Sequence, residues 1–218
     1  MSAWKNQRFQ SPFKSLNFLQ NATQMLNESF HLDEYSNLST ILRIFQVLTT
    51  RLLDFTSKKL QNNVKLGMDD FQAKNESQFY AARTLSLVFI QTTILERFME
   101  YIKSGEFDDN EIKVLNQLAL IYGLWNLEKY SGYLFQFEVL ASGNQVTKIH
   151  QSLLKSCKDL TSNAVALADV LAPPDFVLNS ILGNSDGQVY KHLKQSFYTT
   201  GNSFGRPSYW SDVVHSKL

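Results

Sequence analysis

The chain has 218 residues, of which 44% are hydrophobic and 19% charged, so it is too apolar for a disordered protein and long enough for one large or two small domains. Its net charge of +1 gives no reason to expect nucleic acid or an acidic membrane surface as a partner. The single cysteine excludes an intrachain disulfide and a cysteine-based metal cluster. The N-terminus lacks a signal-like apolar run, and the longest aliphatic run, "LSLVFI", is too short to span a bilayer.

Residues 1–33 show no sustained hydrophobic period, which predicts a linker or an arm that lies on another surface. A helical period begins at Ser36, from where apolar residues recur at spacings of three and four. These residues are Leu38, Ile41, Phe45, Leu48, Leu52 and Phe55. The pattern predicts an amphipathic helix over residues 36–63, before Gly67.

Two further helices are predicted over residues 69–104 and 108–130. The first begins at Asp69-Asp70, whose carboxylates suit a helix N-terminus, and Gly105 suits its end. Its middle is apolar on almost all sides, which predicts a central position in the fold. For the helix over 108–130, either Asp108 or Asp109 can serve as the N-cap. Its predicted inner face carries Ile112, Leu115, Ala119, Tyr122 and Trp125.

Residues 130–143 break the helical period. The alternation of Tyr133, Phe135 and Phe137 would suit a short strand, and a connecting loop explains it equally well.

A fourth helix is predicted over residues 144–171, because apolar residues keep a spacing of three and four up to Pro173-Pro174, which ends it. Cys157 lies on its apolar face and is interpreted as a small buried hydrophobe.

Four long amphipathic helices joined by short connections predict an all-α fold, an antiparallel four-helix bundle. A short helix over 188–198 is expected after the turn at 183–187, and residues 201–218 are expected to form an extended tail. The predicted core includes Leu48, Phe89, Leu118 and Leu160.

The sequence offers no recognisable catalytic, cofactor-binding or metal site. Its four histidines are scattered, and it contains no HExxH motif, nucleophile elbow, phosphate loop or dinucleotide-binding glycine pattern. The glutamates fall mostly on polar helix faces, where solvent exposure explains them. We therefore assign no catalytic, cofactor-binding or metal-binding residue to this chain.

The last three residues are Ser216, Lys217 and Leu218. A peroxisomal import receptor recognises this C-terminal tripeptide, although three residues can also coincide by chance. The tripeptide predicts a protein of the peroxisomal matrix that binds the import receptor as a partner.

The segment "ALADVLAPPDFVLNSILGNSDGQVYKHL" (166–193) resembles the C-terminal region of peroxisomal acyl-CoA oxidases, and most closely the branched-chain, pristanoyl-type members. The residues that carry the resemblance are Ala164 to Leu167, Asp169, Pro173-Pro174, Asp175-Phe176, Gly183, Asp186-Gly187 and Tyr190. Asn163 departs from the pattern, because an acid is usual there. The segment "RFQSPFKSLNFL" (8–19) and the terminal Ser-Lys-Leu fit the same family.

The resemblance implies an enzyme that uses FAD to oxidise an acyl-CoA with O2 to a trans-2-enoyl-CoA and H2O2, the first step of peroxisomal fatty-acid β-oxidation. It also implies that this chain is the second C-terminal helical domain of such an enzyme, which is a dimer. Residues 1–33 would then be the linker from the flavin-binding part, 34–200 the helical domain and 201–218 the tail with the targeting signal.

The family's flavin and catalytic positions have no counterpart in this sequence, so we expect the isolated chain to bind no FAD and to be inactive. Its partners would be the remaining domains or a second subunit of the oxidase, with acyl-CoA as substrate of the full enzyme. The expected contact is an apolar face that includes Tyr133, Phe135, Phe137, Phe176 and Trp210. If Met1 is a true start, the alternative is a non-catalytic helical interaction module of the peroxisomal matrix.

Overall fold

The computed structural model describes residues 14–201 and 203–214. It divides into two compact units at the boundary between Ser162 and Asn163. The described residues form helices, turns and one isolated β-bridge between Phe30 and Leu140, which confirms the predicted all-α class.

The long helix α2 (Leu38–Lys65) lies at the centre of the first unit, and its bounds agree with the predicted helix within two residues. Asn37 caps its N-terminus, because Oδ1 accepts hydrogen bonds from the backbone N–H groups of Ser39 and Thr40 at 2.8 and 3.2 Å. Its fully buried apolar side chains are Ile41, Ile44, Phe45, Val47, Leu48 and Leu52. The chain leaves the helix at Gly67, whose φ of +83° favours glycine.

The second predicted helix consists of α3 (Asp70–Ser77), a π-helical segment (Gln78–Ala82) and α4 (Arg83–Ser104). The predicted limits are confirmed, but the hydrophobic period did not reveal the π-helical segment. Both α3 and α4 pack against α2. The predicted central position of this helix is wrong, because α4 buries only one of its two apolar sides.

The next helix, α5 (Asp109–Lys129), packs against α2 and α4. Asp108 and Glu111 form a capping box at its start, as the predicted aspartate cap requires. At Gly123 a β-carbon would lie 2.7 Å from Cγ2 of Ile41, so this glycine allows α5 to approach α2 closely.

Trp125 does not lie on the inner face of α5, where we predicted it. It is 52% exposed, and Lys129 Nζ lies 3.3 Å from the centre of its ring. The cation–π contact keeps part of the ring covered without bringing it into the core.

The aromatic segment folds as α6 (Ser131–Gln136), so the predicted strand and loop are both wrong for these residues. Tyr133 and Phe137 are four residues apart, their rings stack with centroids 6.2 Å apart, and both pack against the core. Phe135 remains exposed. The alternation therefore reflects one helical turn with two rings facing inward.

The fourth predicted helix is shorter than expected. The helix α7 (Gly143–Leu160) packs against α5, and a 3-10 turn at Thr161–Asn163 interrupts the run that was predicted to continue to residue 171. The buried residues of α7 are Gln145, Ile149, Leu153 and Ser156.

Burial differs from the prediction at several positions. Leu48 is buried as predicted, but Phe89, Leu118 and Leu160 are only half-buried, and Cys157 is exposed. On α7, the buried face passes through Ser156, which places Cys157 one position further around the helix. The apolar period alone could not distinguish these two neighbouring registers.

Residues 14–33, which we predicted as part of a linker or arm, pack into the first unit. The 3-10 helix Lys14–Asn21 and the short α1 (Ala22–Met25) bury Leu19, Ala22 and Met25. The remaining residues of the predicted arm, 1–13, lie outside the described residues.

The fully buried amide of Gln145 links residues 32–35, which precede α2, to α7. Its Oε1 accepts hydrogen bonds from the Tyr35 hydroxyl at 2.6 Å and from the Leu32 N–H at 2.9 Å. Lys148 Nζ lies 3.0 Å from Asp33 Oδ1, and this hydrogen bond and charge pair lower the pKa of Asp33. The segment is therefore held by side-chain hydrogen bonds, for which a hydrophobic period gives no signal.

The second unit contains α8 (Ala164–Leu171), α9 (Asp175–Leu178), α10 (Val189–Thr199) and α11 (Trp210–Val214). The helix α10 confirms the predicted short helix within one residue. The predicted extended tail contains α11, which begins in a turn where the Trp210 N–H donates to the Pro207 carbonyl at 2.9 Å.

Tyr35 provides a test of this core at alkaline pH. Burial raises its pKa to about 12, above the ordinary value of 10.0. The unfolded chain loses the phenol proton first, so the contribution of Tyr35 to stability is complete below pH 10.0 and is lost as the pH rises towards 12. We expect Tyr35→Phe to cost about 1 kcal/mol at neutral pH and to reduce the alkaline loss, as measured by urea unfolding across this range.

Tyr80→Phe serves as the matched control, because Tyr80 is exposed. This variant should follow the original chain at every pH. An alkaline loss that is the same in the Tyr35→Phe chain would contradict the assigned burial of the phenol.

Candidate docking surface

The described residues contain no cluster of three or more histidine, cysteine, aspartate or glutamate side chains that could hold a metal ion. His150 Nδ1 lies 2.8 Å from Glu128, and His192 Nε2 lies 2.7 Å from Asp186, so both imidazoles pair locally. Within the same residues, no helix has the length and apolar character needed to cross a bilayer.

The outer side of α4 carries an apolar stripe. Leu87, Ile90, Ile94 and Tyr101 are all exposed and lie at spacings of three, four and seven residues. We call these four residues the α4 stripe. Their spacing matches that of the seam through which one α-helix packs on another.

The same helix buries a second apolar side. Val88, Leu95 and Met99 lie in the core against α2 and the neighbouring helices. A hydroxyl pair, Thr49 and Thr92, joins α2 to α4 with 3.1 Å between the two oxygens. The α4 stripe is therefore apolar surface in excess of what the core of the first unit uses.

Charged residues lie on the exposed side of α4 beside the stripe, and two of them form an ion pair with one another. Arg97 Nη1 lies 2.5 Å from Glu100 Oε2, one turn away on the exposed side. The carboxyl of Glu96 has a raised pKa, first because of partial burial and then because of the nearby Glu100. Arg97 and Glu100 thus largely compensate one another's charge beside the α4 stripe.

The five aromatic residues that we predicted to form an apolar contact face fall into two groups. Tyr133 and Phe137 pack against the core, whereas Phe135, Phe176 and Trp210 are exposed. The α4 stripe was not predicted, although the segment "TLSLVFIQTTILERFMEYI" contains its apolar residues. A helix that is apolar all round can supply one side to its own core and the other to a partner.

An open groove of about 780 Å³ lies at the start of α2 between the end of α4 and the start of α5. Met99, Ile102 and Leu120 form its apolar floor, and its charged lining residues are Lys103 and Lys113.

The motif that carried the family resemblance forms a hydrogen-bonded turn in the second unit. Asp175 Oδ1 and Oδ2 accept from the N–H and Oγ of Ser185 at 3.0 and 2.7 Å. Asp186 accepts from the Gln188 N–H at 2.9 Å, and this bond, followed by the contact with His192, lowers the pKa of Asp186. These carboxylates therefore hold the backbone around Gly187, whose φ is +67°.

Residues 37–218 match the model of the family described as acyl-CoA oxidase. The chain belongs to the acyl-CoA oxidase family. It is 33% identical to human peroxisomal acyl-coenzyme A oxidase 3 over 96% of its own length, and it covers 30% of that oxidase. It thus spans about a third of a whole acyl-CoA oxidase.

Solved structures of acyl-CoA oxidases share the fold. Acyl-CoA oxidase 1 of Arabidopsis thaliana superposes with a TM-score of 0.84 at 20% identity, over 98% of this chain and 33% of that one. Acyl-CoA oxidase-2 of Caenorhabditis elegans, a structure with FAD, ascaroside-CoA and ATP, gives a TM-score of 0.76 at 20% identity, over 94% of this chain and 29% of that one.

The C-terminal tripeptide Ser216-Lys217-Leu218 lies outside the described residues. Its role as a targeting signal stays a prediction from the sequence.

The α4 stripe can be tested by paired substitutions in one helix. We expect Ile90→Ser and Ile94→Ser each to change the free energy of unfolding of the chain by less than about 0.5 kcal/mol, because both side chains are exposed. Val88→Ser, on the buried side of the same helix, should cost about 2 kcal/mol or more. Thermal and urea unfolding of the three variants would measure this.

A fluorescent probe of exposed apolar surface provides a second measurement. The Ile90→Ser/Ile94→Ser double variant should bind less of it than the original chain. Equal losses of stability in all three single variants would show that the stripe belongs to the core.

Proposed function

We propose that this chain is the C-terminal helical part of a peroxisomal, FAD-dependent acyl-CoA oxidase. In the net reaction an acyl-CoA loses one hydrogen from the α-carbon and one from the β-carbon, O2 accepts both hydrogens with their electrons, and the products are a trans-2-enoyl-CoA and H2O2. The observation that carries this proposal is the family match over residues 37–218.

The open groove at the start of α2 has an apolar floor, and its lining residues do not include a glycine-rich turn that could hold a pyrophosphate, so nothing in this groove supports a flavin site. We therefore assign flavin and acyl-CoA binding to the portion of the enzyme that this chain does not span, and we expect the chain alone to be inactive.

In this proposal the chain acts by covering the rest of the enzyme. The α4 stripe supplies a helix face with the spacing for packing against another helix. Burial of such a surface excludes water and holds neighbouring domains in one arrangement. The partner surface would be the remaining domains or the second subunit of the oxidase.

The proposal is tested with a chimera in which this chain replaces the matching C-terminal region of human peroxisomal acyl-coenzyme A oxidase 3. We expect the purified chimera to carry FAD and to release H2O2 from an acyl-CoA, whereas the isolated chain should be colourless and inactive. The double variant Ile90→Ser/Ile94→Ser should lower both FAD content and H2O2 release of the chimera.

Leu154→Ser is the matched control, because Leu154 is also exposed but lies on α7, away from the stripe. It should leave the chimera unchanged. A soluble, folded chimera without FAD, or an isolated chain that is yellow or consumes O2 with an acyl-CoA, would contradict the proposed role.

Localisation in the peroxisomal matrix is part of the same proposal, because the human relative is named as a peroxisomal oxidase and this chain ends in Ser216-Lys217-Leu218. Deletion of Leu218 from the chain with an N-terminal fluorescent tag should leave it in the cytosol, whereas Lys217→Arg, which keeps the cation, should leave it in peroxisomes. Punctate fluorescence after the deletion would show that another signal or a bound partner directs import.

A further inference from the structure

The second unit has no buried side chain among its described residues, 163–201 and 203–214. The first unit, by contrast, has a continuous core of buried apolar residues. The helices α8 to α11 also do not pack extensively against one another. A chain segment with this pattern lacks the burial that normally offsets the conformational entropy lost on folding.

This unit is nevertheless rich in large apolar residues, as segments that fold are. Its exposed large apolar side chains are Val165, Val170, Leu171, Phe176, Val177, Leu178, Leu182, Tyr190, Leu193, Phe197, Tyr198, Phe204, Tyr209, Trp210, Val213 and Val214. Segments that remain disordered in function are poor in such residues. Exposed apolar surface of this extent marks an interaction site.

Local hydrogen bonds give the unit its shape but cannot replace a core. The contacts of Asp175 with Ser185, and of Asp186 with His192, join exposed groups across one turn. Bonds of this kind between solvated groups contribute little net stability, because water competes for both partners.

We propose that residues 163–214, which we call the C-terminal clasp, fold stably only when docked on an apolar surface of the remaining two thirds of an acyl-CoA oxidase. The human relative is about three times as long as the part matched here, so ample partner surface lies outside this chain. The match to Arabidopsis acyl-CoA oxidase 1 covers 98% of this chain and therefore includes the clasp. A backbone similar to that of the clasp thus occurs in an oxidase chain about three times as long as this one.

This inference rests on the proposed function for the identity of the docking partner and goes beyond it by assigning coupled folding and docking to one segment. If folding is coupled to docking, the clasp becomes ordered only when its partner surface is already assembled. The α4 stripe needs no such coupling, since α4 also packs into the core of the first unit.

Amide hydrogen exchange tests the clasp in the isolated chain and in full-length human peroxisomal acyl-coenzyme A oxidase 3. In the isolated chain, we expect amides of α10 to exchange within about tenfold of the unfolded rate and those of α2 to be slowed at least about a thousandfold. In the human oxidase, the segment that aligns with α10 should be slowed at least about a hundredfold. Protection of α10 equal to that of α2 in the isolated chain, or no protection in the human oxidase, would overturn the proposal.

A pair of leucine substitutions gives an independent readout. Leu48→Ala in α2 should lower the thermal midpoint of the isolated chain, whereas Leu193→Ala in α10 should leave it unchanged, because Leu48 is fully buried and Leu193 is 39% exposed. An equal decrease in both variants would show that the clasp is already folded into the chain.

These measurements do not depend on the activity of the chimera described above. A flavin-free chimera would contradict the proposed function and leave the exchange rates of the isolated chain as found. A protected clasp would overturn coupled folding and leave the oxidase assignment intact.

Discussion

The buried contact surface of α2 is the interaction on which the first unit depends. This helix packs against α1, α3, α4 and α5, and its side chains at Ile41, Phe45 and Leu48 are removed completely from water. Its length of 28 residues, about 42 Å, allows each neighbour to use a different part of its surface. At Gly123 of α5, where a β-carbon would lie 2.7 Å from Cγ2 of Ile41, the side chain is absent. The hydrophobic effect therefore selects α2, and not the more apolar α4, as the central helix.

Polar contacts hold in place the segments that are not fixed by apolar packing against α2. Segments without a hydrophobic period, such as residues 28–35, are fixed by a few specific acceptors, chiefly the buried amide of Gln145. Arg51 adds another link, because its guanidinium donates to the backbone carbonyls of Glu28 and Phe137. These hydrogen bonds replace those that the buried amide and the Nη groups would make to water, whereas Arg51 Nε is buried without a hydrogen-bond partner among the described residues. The contacts of Gln145 with residues 32 and 35, and that of Arg51 with Phe137, join residues more than 80 positions apart in one unit.

The chain carries apolar surface that is not buried in its own core, and this exposed apolar surface occurs in two regions. The α4 stripe is a ready-made face, held rigid because the opposite side of the same helix is buried. The C-terminal clasp is apolar surface without any core of its own. A part that spans about a third of an oxidase is expected to show this imbalance, because surfaces that are buried in the whole protein lie exposed on the part. The exposed apolar surface of this chain is thus explained by the part of the oxidase that the chain does not span.

The sequence by itself determined the helical class, the limits of α2 and α5, and the aspartate caps at the starts of α3 and α5, because these features follow from spacing and capping within one helix. The residues around 166–193 and the tripeptide at the end also pointed to the family without reference to the fold. Only the tertiary structure decided which apolar sides are buried, which is why Phe89, Leu118 and Leu160 were placed too deep and Cys157 was placed on the wrong side. Periodicity shows that a helix has an apolar face, but the number and position of its neighbours decide whether that face meets the core, a partner or water.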